Sequence, residues 1–188
     1  VEWDAEAAEK AGYEHFMIKE IHEQPKAVSD TLNSVVKDGA IDLSEVGLSE
    51  EEIKEISQIY IVACGSAYHV GVAAQYVMED LARIPVRVEL ASEFRYRNPI
   101  LDPKGLVIII SQSGETADSL AALRESKKQG VKTLGIVNVI GSSIAREADN
   151  VFYTLAGPEI AVATTKAYST QLLSLIHISE PTRLALIS

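Results

Sequence analysis

Five short apolar, β-branched runs punctuate the chain: Ile59 to Ala63, Val86 to Leu90, Leu106 to Ile110, Thr133 to Asn138 and Val151 to Thr154. Continuous rather than alternating apolar runs of this length predict strands buried on both faces. Between them apolar residues recur at helical spacing. The predicted helices run from about Tyr68 to Ala82, from Thr116 to Gln129 with Gly130 as the stop, from Gly141-Ser142-Ser143 to Ala148, and from Val162 to Leu175. Ala91 to Tyr96 is short and charged, and reads as a helical turn. Strands alternating with helices at these intervals predict an α/β fold, a doubly wound five-stranded parallel sheet flanked by helices with right-handed crossovers.

Ahead of the first strand, Phe16, Met17, Ile21, Val28, Leu32, Val35 and Val36 carry a helical pattern within Gly12 to Val36. Pro25 interrupts it, so two helices or one kinked helix are expected. Lys37 to Gly47 reads as a loop with a short turn. Ser49 followed by Glu52 is a capping-box signature for a short helix. The segment 1–10 is polar and acidic, with Trp3 as its one large apolar anchor and no initiating methionine, which suggests a chain cut from something longer.

Composition narrows the class. The 188 residues are enough for one α/β domain with a complete core. A hydrophobic fraction of 47% with only 6% aromatics suits an aliphatic α/β protein better than a β-sandwich. The net charge of −10 argues against nucleic acid or an anionic membrane as partner. A single cysteine excludes an internal disulfide and a thiolate metal cluster. With no membrane-spanning apolar run and no signal-peptide layout, the chain is placed in the cytosol.

The chemistry concentrates where strands end. Leu106 to Ile110 stops at Ser111-Gln112-Ser113-Gly114-Glu115-Thr116, and a helix follows. A strand, a short hydroxyl-rich loop and a helix N-terminus make an anion site: the first N–H groups of the helix lack partners, and its dipole is positive there. A phosphate is the expected ligand, held by Ser111, Ser113 and Thr116, with Gly114 allowing close approach. Cys64-Gly65-Ser66 repeats the arrangement after the first strand. In a parallel sheet both loops gather on the edge where ligands bind, joined there by Gly141-Ser142-Ser143 and by Glu159 to Lys166 with Val162, Thr164 and Thr165. Any one such loop is often merely a capped turn; two on neighbouring strands favour a ligand. Cys64 reads as a small ligand-contacting or buried residue, Glu115 as a partner of its own helix dipole, and Glu159 as a loop-ordering group. Arg95-Tyr96-Arg97 reads as a solvated or interface surface. His15 and His22 share a helix face but lack further ligands, so no metal site is expected.

Ser111 to Asp118 resembles the phosphosugar signature of the sugar isomerase (SIS) domain. Ala63-Cys64-Gly65, Ala91 to Arg97 and Gly157 to Lys166 follow in the order found in glutamine–fructose-6-phosphate aminotransferases. Gly12 to Pro25 is similar to the segment that joins the glutaminase and isomerase parts of that family. The resemblance implies a flavodoxin-like three-layer sandwich, with residues 1–48 as linker and N-terminal helices, 49–173 as the first of two SIS domains, and 174–188 as a tail outside the pattern. It implies a sugar phosphate, fructose 6-phosphate or glucosamine 6-phosphate, with Ser111, Gln112, Ser113 and Thr116 on the phosphate. Cys64, Gly65 and Ser66 would line the sugar side, and Val162 and Thr164 would close it. Ala67 stands where the family often has serine, which removes a hydroxyl, whereas Thr164 replaces a frequent serine and keeps one.

The family's glutaminase cysteine and its isomerase lysine, glutamate and histidine match nothing here; His15, His22, His69, His177 and Lys166 lie at other positions. A half-site without turnover and without a catalytic residue is therefore expected, with no cofactor; the apolar stripe of the N-terminal helices and the family resemblance both suggest a homodimer. Pro181 in the departing tail should break the last helix. The alternative is a sugar-phosphate-sensing SIS module of a regulatory protein, which would call for a basic helix-turn-helix upstream rather than the acidic start. A nicotinamide-binding Rossmann site is disfavoured, because Cys64 to His69 lacks the G-x-G-x-x-G spacing.

Overall fold

Two apolar faces on one set of strands decide the architecture. In the computed structural model, which describes residues 9–187, five strands pair in parallel: β3 (Gln58–Ala63), β4 (Val86–Leu90), β5 (Gly105–Ser111), β6 (Lys132–Val137) and β7 (Asn150–Tyr153). They are preceded by a two-stranded antiparallel hairpin, β1 (Val36–Lys37) and β2 (Ala40–Ile41), and a 3₁₀ turn at Ser44–Val46, where the sequence suggests a loop with a short turn and no hairpin. The sheet order is β4-β3-β5-β6-β7, or 2-1-3-4-5 counted within the sheet, the flavodoxin-like winding.

Alternate residues of each strand enter opposite cores. Ile59, Ile61, Ile108, Ile110, Leu134 and Ile136 face one side, against Val70, Ala74 and Met78 of α3 (Gly65–Ala82) and Leu175 and Ile178 of α7 (Lys166–Ile187). Tyr60, Val62, Val107, Ile109 and Val137 face the other. There they meet Phe94 of α4 (Ala91–Phe94), Ala122 and Leu123 of α5 (Ala117–Lys128) and Ile144 of α6 (Ser143–Glu147). The result is the expected three-layer sandwich. The short α2 (Glu50–Glu55) has the full capping box: Glu52 N–H donates to Ser49 Oγ at 3.2 Å, and Ser49 N–H donates to Glu52 Oε2 at 2.9 Å. At the end of α5, Gly130 adopts φ +75°. Gly130 N–H donates to Lys127 O and Val131 N–H to Ser126 O, so the helix stops there in a Schellman motif.

The N-terminal pattern forms one helix, α1 (Phe16–Asn33), that continues through Pro25 and packs on α7. Proline lacks the N–H that would bond to Ile21 O; the Gln24 side-chain amide donates to that carbonyl instead, at 3.3 Å. Gln24 Oε1 in turn accepts from Ser169 Oγ of α7 at 2.7 Å, so the repair also fastens two helices together.

The last helix departs from expectation at both ends. It begins at Lys166 rather than Val162, because the Glu159 carboxylate accepts the N–H groups of Thr165 (2.8 Å) and Ala167 (3.4 Å) and sets the cap there. It also runs through Pro181 to Ile187 instead of breaking. A proline deletes one backbone bond, and the preceding turn is held in place by burial of Leu175, Ile178 and Ser179.

Candidate functional site

In this winding the chain leaves β3 toward one side of the sheet and returns to β5 on the other. The switch in strand order therefore lies between β3 and β5. Their following helices, α3 and α5, depart to opposite faces and leave a crevice between the two carboxyl ends. A cavity of about 160 Å³ fills it, lined by Cys64, Ser66 and Ala67 after β3, by Ser111, Gln112, Ser113 and Thr116 after β5, and by Thr164. Residues far apart in sequence are thus brought onto one wall. Ser66 Oγ donates to Thr164 Oγ1 at 3.0 Å across 98 positions.

The β5 loop is braced from inside. Ser111, buried at the strand end, accepts from Gly114 N–H (3.1 Å) and pairs with Thr116 Oγ1 (3.0 Å); Ser113 Oγ accepts from Glu115 N–H (3.2 Å). Thr116 is the N-cap of α5, yet its hydroxyl makes no cap bond, being engaged with Ser111. Cys64, the N-cap of α3, makes none either. Two helices consequently aim N-termini without side-chain caps at the cavity, each carrying partial positive charge.

The neighbouring helices are treated differently. Glu115, read from sequence as serving its own helix, instead accepts from Ser143 N–H at the start of α6 at 2.7 Å. Hydrogen bonding from the hydroxyl and then the backbone N–H of Ser143 holds its carboxyl below the usual range. Glu159 caps α7. The one acidic group in the first turn of α5, Asp118, is matched by Arg95 at 2.6 Å, and α3 has no acidic group in its first turn. Negative charge is thus placed at the helix ends beside the cavity and neutralised or absent at the two that open into it. That arrangement suits an anion.

Gly65 lies between Cys64 and Ser66 with φ +57° and forms the first turn of α3 by its backbone. The Val162 side chain stands fully exposed in the loop before α7, outside the cavity wall. Gln171 and Ile110, which the sequence reading did not single out, complete the lining. The signal for Gln171 is faint: one amide within the predicted helix from Val162 to Leu175. Arg97 pairs with Glu89, its Nε donating at 2.8 Å, and Arg95 lies over the Tyr96 ring, so this basic group is engaged locally. Among the described residues no group of three or more His, Cys, Asp or Glu could hold a metal ion. A larger hollow of about 550 Å³ between Ile41 and Ile53 lies beside the amino end of β7, where Asn150 Nδ2 donates to Val46 O. Its Asp42 carboxylate makes it a poor anion site.

The SIS domain family model matches residues 52–177. Over 180 residues the chain is 60% identical to a glutamine–fructose-6-phosphate aminotransferase of Caldanaerobacter subterraneus subsp. tengcongensis, covering 95% of this chain and 30% of that protein. The aminotransferase of Clostridium tetani is 60% identical over 176 residues, covering 93% and 29%. Among solved structures, the C-terminal domain of the Francisella tularensis glucosamine-fructose-6-phosphate aminotransferase superposes with a TM-score of 0.90 at 46% identity, covering 95% of this chain and 50% of that one. The chain therefore spans about 30% of the length of the curated relatives it matches. In motif order, in strand winding and in sequence, it belongs to the SIS domain family.

Proposed function

We propose that this chain supplies the sugar-phosphate half-site of a glutamine–fructose-6-phosphate aminotransferase. Its ligand is fructose 6-phosphate or the glucosamine 6-phosphate product. The observation that carries the reading is the hydroxyl-lined cavity between β3 and β5, onto which two helix N-termini open without side-chain caps. Ser111, Gln112, Ser113 and Thr116 take the phosphate, while Cys64, Gly65 and Ser66 lie toward the sugar with Thr164 and the Val162 loop over it. The reading calls on no metal or cofactor. Residues 1–48 serve as linker and leading helix and 49–173 as the SIS unit, and the segment from 174, expected to be a tail outside the pattern, enters the family match as far as 177. A cytosolic homodimer fits the acidic composition and the half-exposed Met17, Ile18 and Ile21 along α1. The sensor alternative lacks support of this kind, since the high-identity relatives named above are aminotransferases.

Calorimetry with fructose 6-phosphate tests the assignment. Ser113→Ala and Thr116→Ala each remove a hydroxyl facing an anion, which costs about 1.5–3 kcal/mol of binding free energy. Unchanged affinity in both variants overturns the phosphate assignment. The isolated chain should bind the sugar phosphate yet release no glucosamine 6-phosphate from fructose 6-phosphate and glutamine; product from pure chain refutes the half-site reading.

A further inference from the structure

Gln171 sits in the second turn of α7, is 2% exposed and lines the cavity beside Thr164 and Ser66. Its Oε1 is buried and meets no donor among the described residues. Its buried neighbours on the same helix solve the problem locally. Thr170 Oγ1 donates to Ala167 O at 3.1 Å and Ser174 Oγ donates to Thr170 O at 2.8 Å. An amide oxygen has no such recourse, because helix carbonyls offer it no hydrogen. A buried acceptor left unpaired is costly, and a protein rarely keeps one without use for it.

We infer that Gln171 is a sugar-positioning residue, whose Oε1 accepts a hydrogen bond from a hydroxyl of the bound sugar phosphate. The inference rests on the sugar-phosphate reading of the cavity. A bare phosphate brings acceptors and little to donate, so it satisfies the β5 loop and leaves Oε1 unpaired; a polyhydroxylated chain on that phosphate brings the missing donor. Gln171 thereby separates sugar phosphates from inorganic phosphate, a task the Ser111–Thr116 loop cannot perform.

Gln171→Met keeps length and volume and removes the acceptor. Calorimetry of wild type, this variant and Ser113→Ala should use fructose 6-phosphate and inorganic phosphate as separate probes. Gln171→Met should bind fructose 6-phosphate about 10-fold more weakly, the loss of one hydrogen bond to a buried acceptor, and inorganic phosphate within about twofold of wild type. If its fructose 6-phosphate affinity is unchanged while Ser113→Ala weakens both ligands, the role of Gln171 is overturned and the phosphate reading stands. If wild type binds neither ligand, both fall together. Should Gln171→Met fail to fold, the side-chain amide signals of Gln171 in wild-type protein decide. A shift on adding fructose 6-phosphate but not phosphate supports the role; no shift with the sugar overturns it.

Discussion

Gly114 offers the sharpest test of how the loop after β5 is built. It adopts φ +67°, a region that L side chains rarely enter, and a Cβ placed there would lie 2.0 Å from Ser142 Oγ and 2.5 Å from Ser142 Cβ. Ser142 is 3% exposed and cannot simply retreat. Ile144 N–H donates to Gly114 O at 3.0 Å, and Ser143 N–H donates to Glu115 at 2.7 Å, so the two loops are pinned face to face. Gly114→Ala therefore costs about 1–2 kcal/mol for the left-handed backbone and about 1–3 kcal/mol for overpacking. For a chain of this size that corresponds to a melting temperature roughly 5–15 °C lower. Second-site variants separate the two contributions. Ser142→Ala removes the hydroxyl but leaves its Cβ, whereas Ser142→Gly clears the space. Neither sacrifices a cap, because Ser142 makes no side-chain cap bond and its hydroxyl has no partner among the described residues. Differential scanning calorimetry should rank Gly114→Ala lowest, Gly114→Ala with Ser142→Ala next, and Gly114→Ala with Ser142→Gly highest, still short of wild type by the backbone strain. Melting of Gly114→Ala within about 2 °C of wild type, less than the shift that 1 kcal/mol produces, refutes the argument.

Three further outcomes follow from individual side-chain contacts. Glu23 Oε2 meets the buried Lys166 Nζ at 2.6 Å, and Lys19 lies 3.3 Å from its other oxygen. Burial raises the Glu23 pKa, but hydrogen bonds and charge from Lys166 and then Lys19 outweigh it and leave it below the ordinary 4.5. A depressed folded-state pKa contributes stability above the unfolded value, lost as pH falls through the folded one. Glu23→Gln should thus destabilise by about 1–3 kcal/mol at pH 7, the buried-pair cost reduced for partial exposure. The gap from wild type should close below pH 4.5 in pH-dependent melts; a gap constant with pH contradicts this. Glu20 accepts the N–H groups of Ile160 (2.6 Å) and Ala161 (3.0 Å) through Oε1, tying α1 to the loop that carries Thr164. Glu20→Ala should speed amide hydrogen exchange at Ile160 and Ala161 at least tenfold, and exchange as slow as in wild type excludes the tether. Ser49→Ala should cost about 1 kcal/mol by chemical denaturation, through loss of the α2 cap.

Local order was readable from residues because local physics produces it. Strands buried on both faces must be apolar at every position, so the runs at Ile59–Ala63 and Leu106–Ile110 announced themselves, and β5 differs from its expected bounds by one residue at each end. The Ser49–Glu52 capping box and the Gly130 stop depend on a few neighbouring residues and were equally legible. The hydroxyl-rich loop that follows β5 and lines the cavity was legible for the same reason. Where a distant group competes, local reading failed. Nothing near Val162 reveals that Glu20, some 140 positions away, takes the N–H groups of Ile160 and Ala161 ahead of α7, nor does the spacing of Glu115 indicate that it serves α6.

The amino-acid sequence by itself determined the α/β class, the strand–loop–helix units and the chemistry at their ends. Those depend on periodicity, capping and residue type within a dozen positions. Only the tertiary structure decided the order β4-β3-β5-β6-β7, which sets two loops facing each other across the switch between β3 and β5. It also decided the meeting of Ser66 with Thr164, and the burial of Gln171 with its amide oxygen unpaired by any described donor. Contacts between residues about a hundred positions apart follow from how layers pack, and no local pattern encodes them.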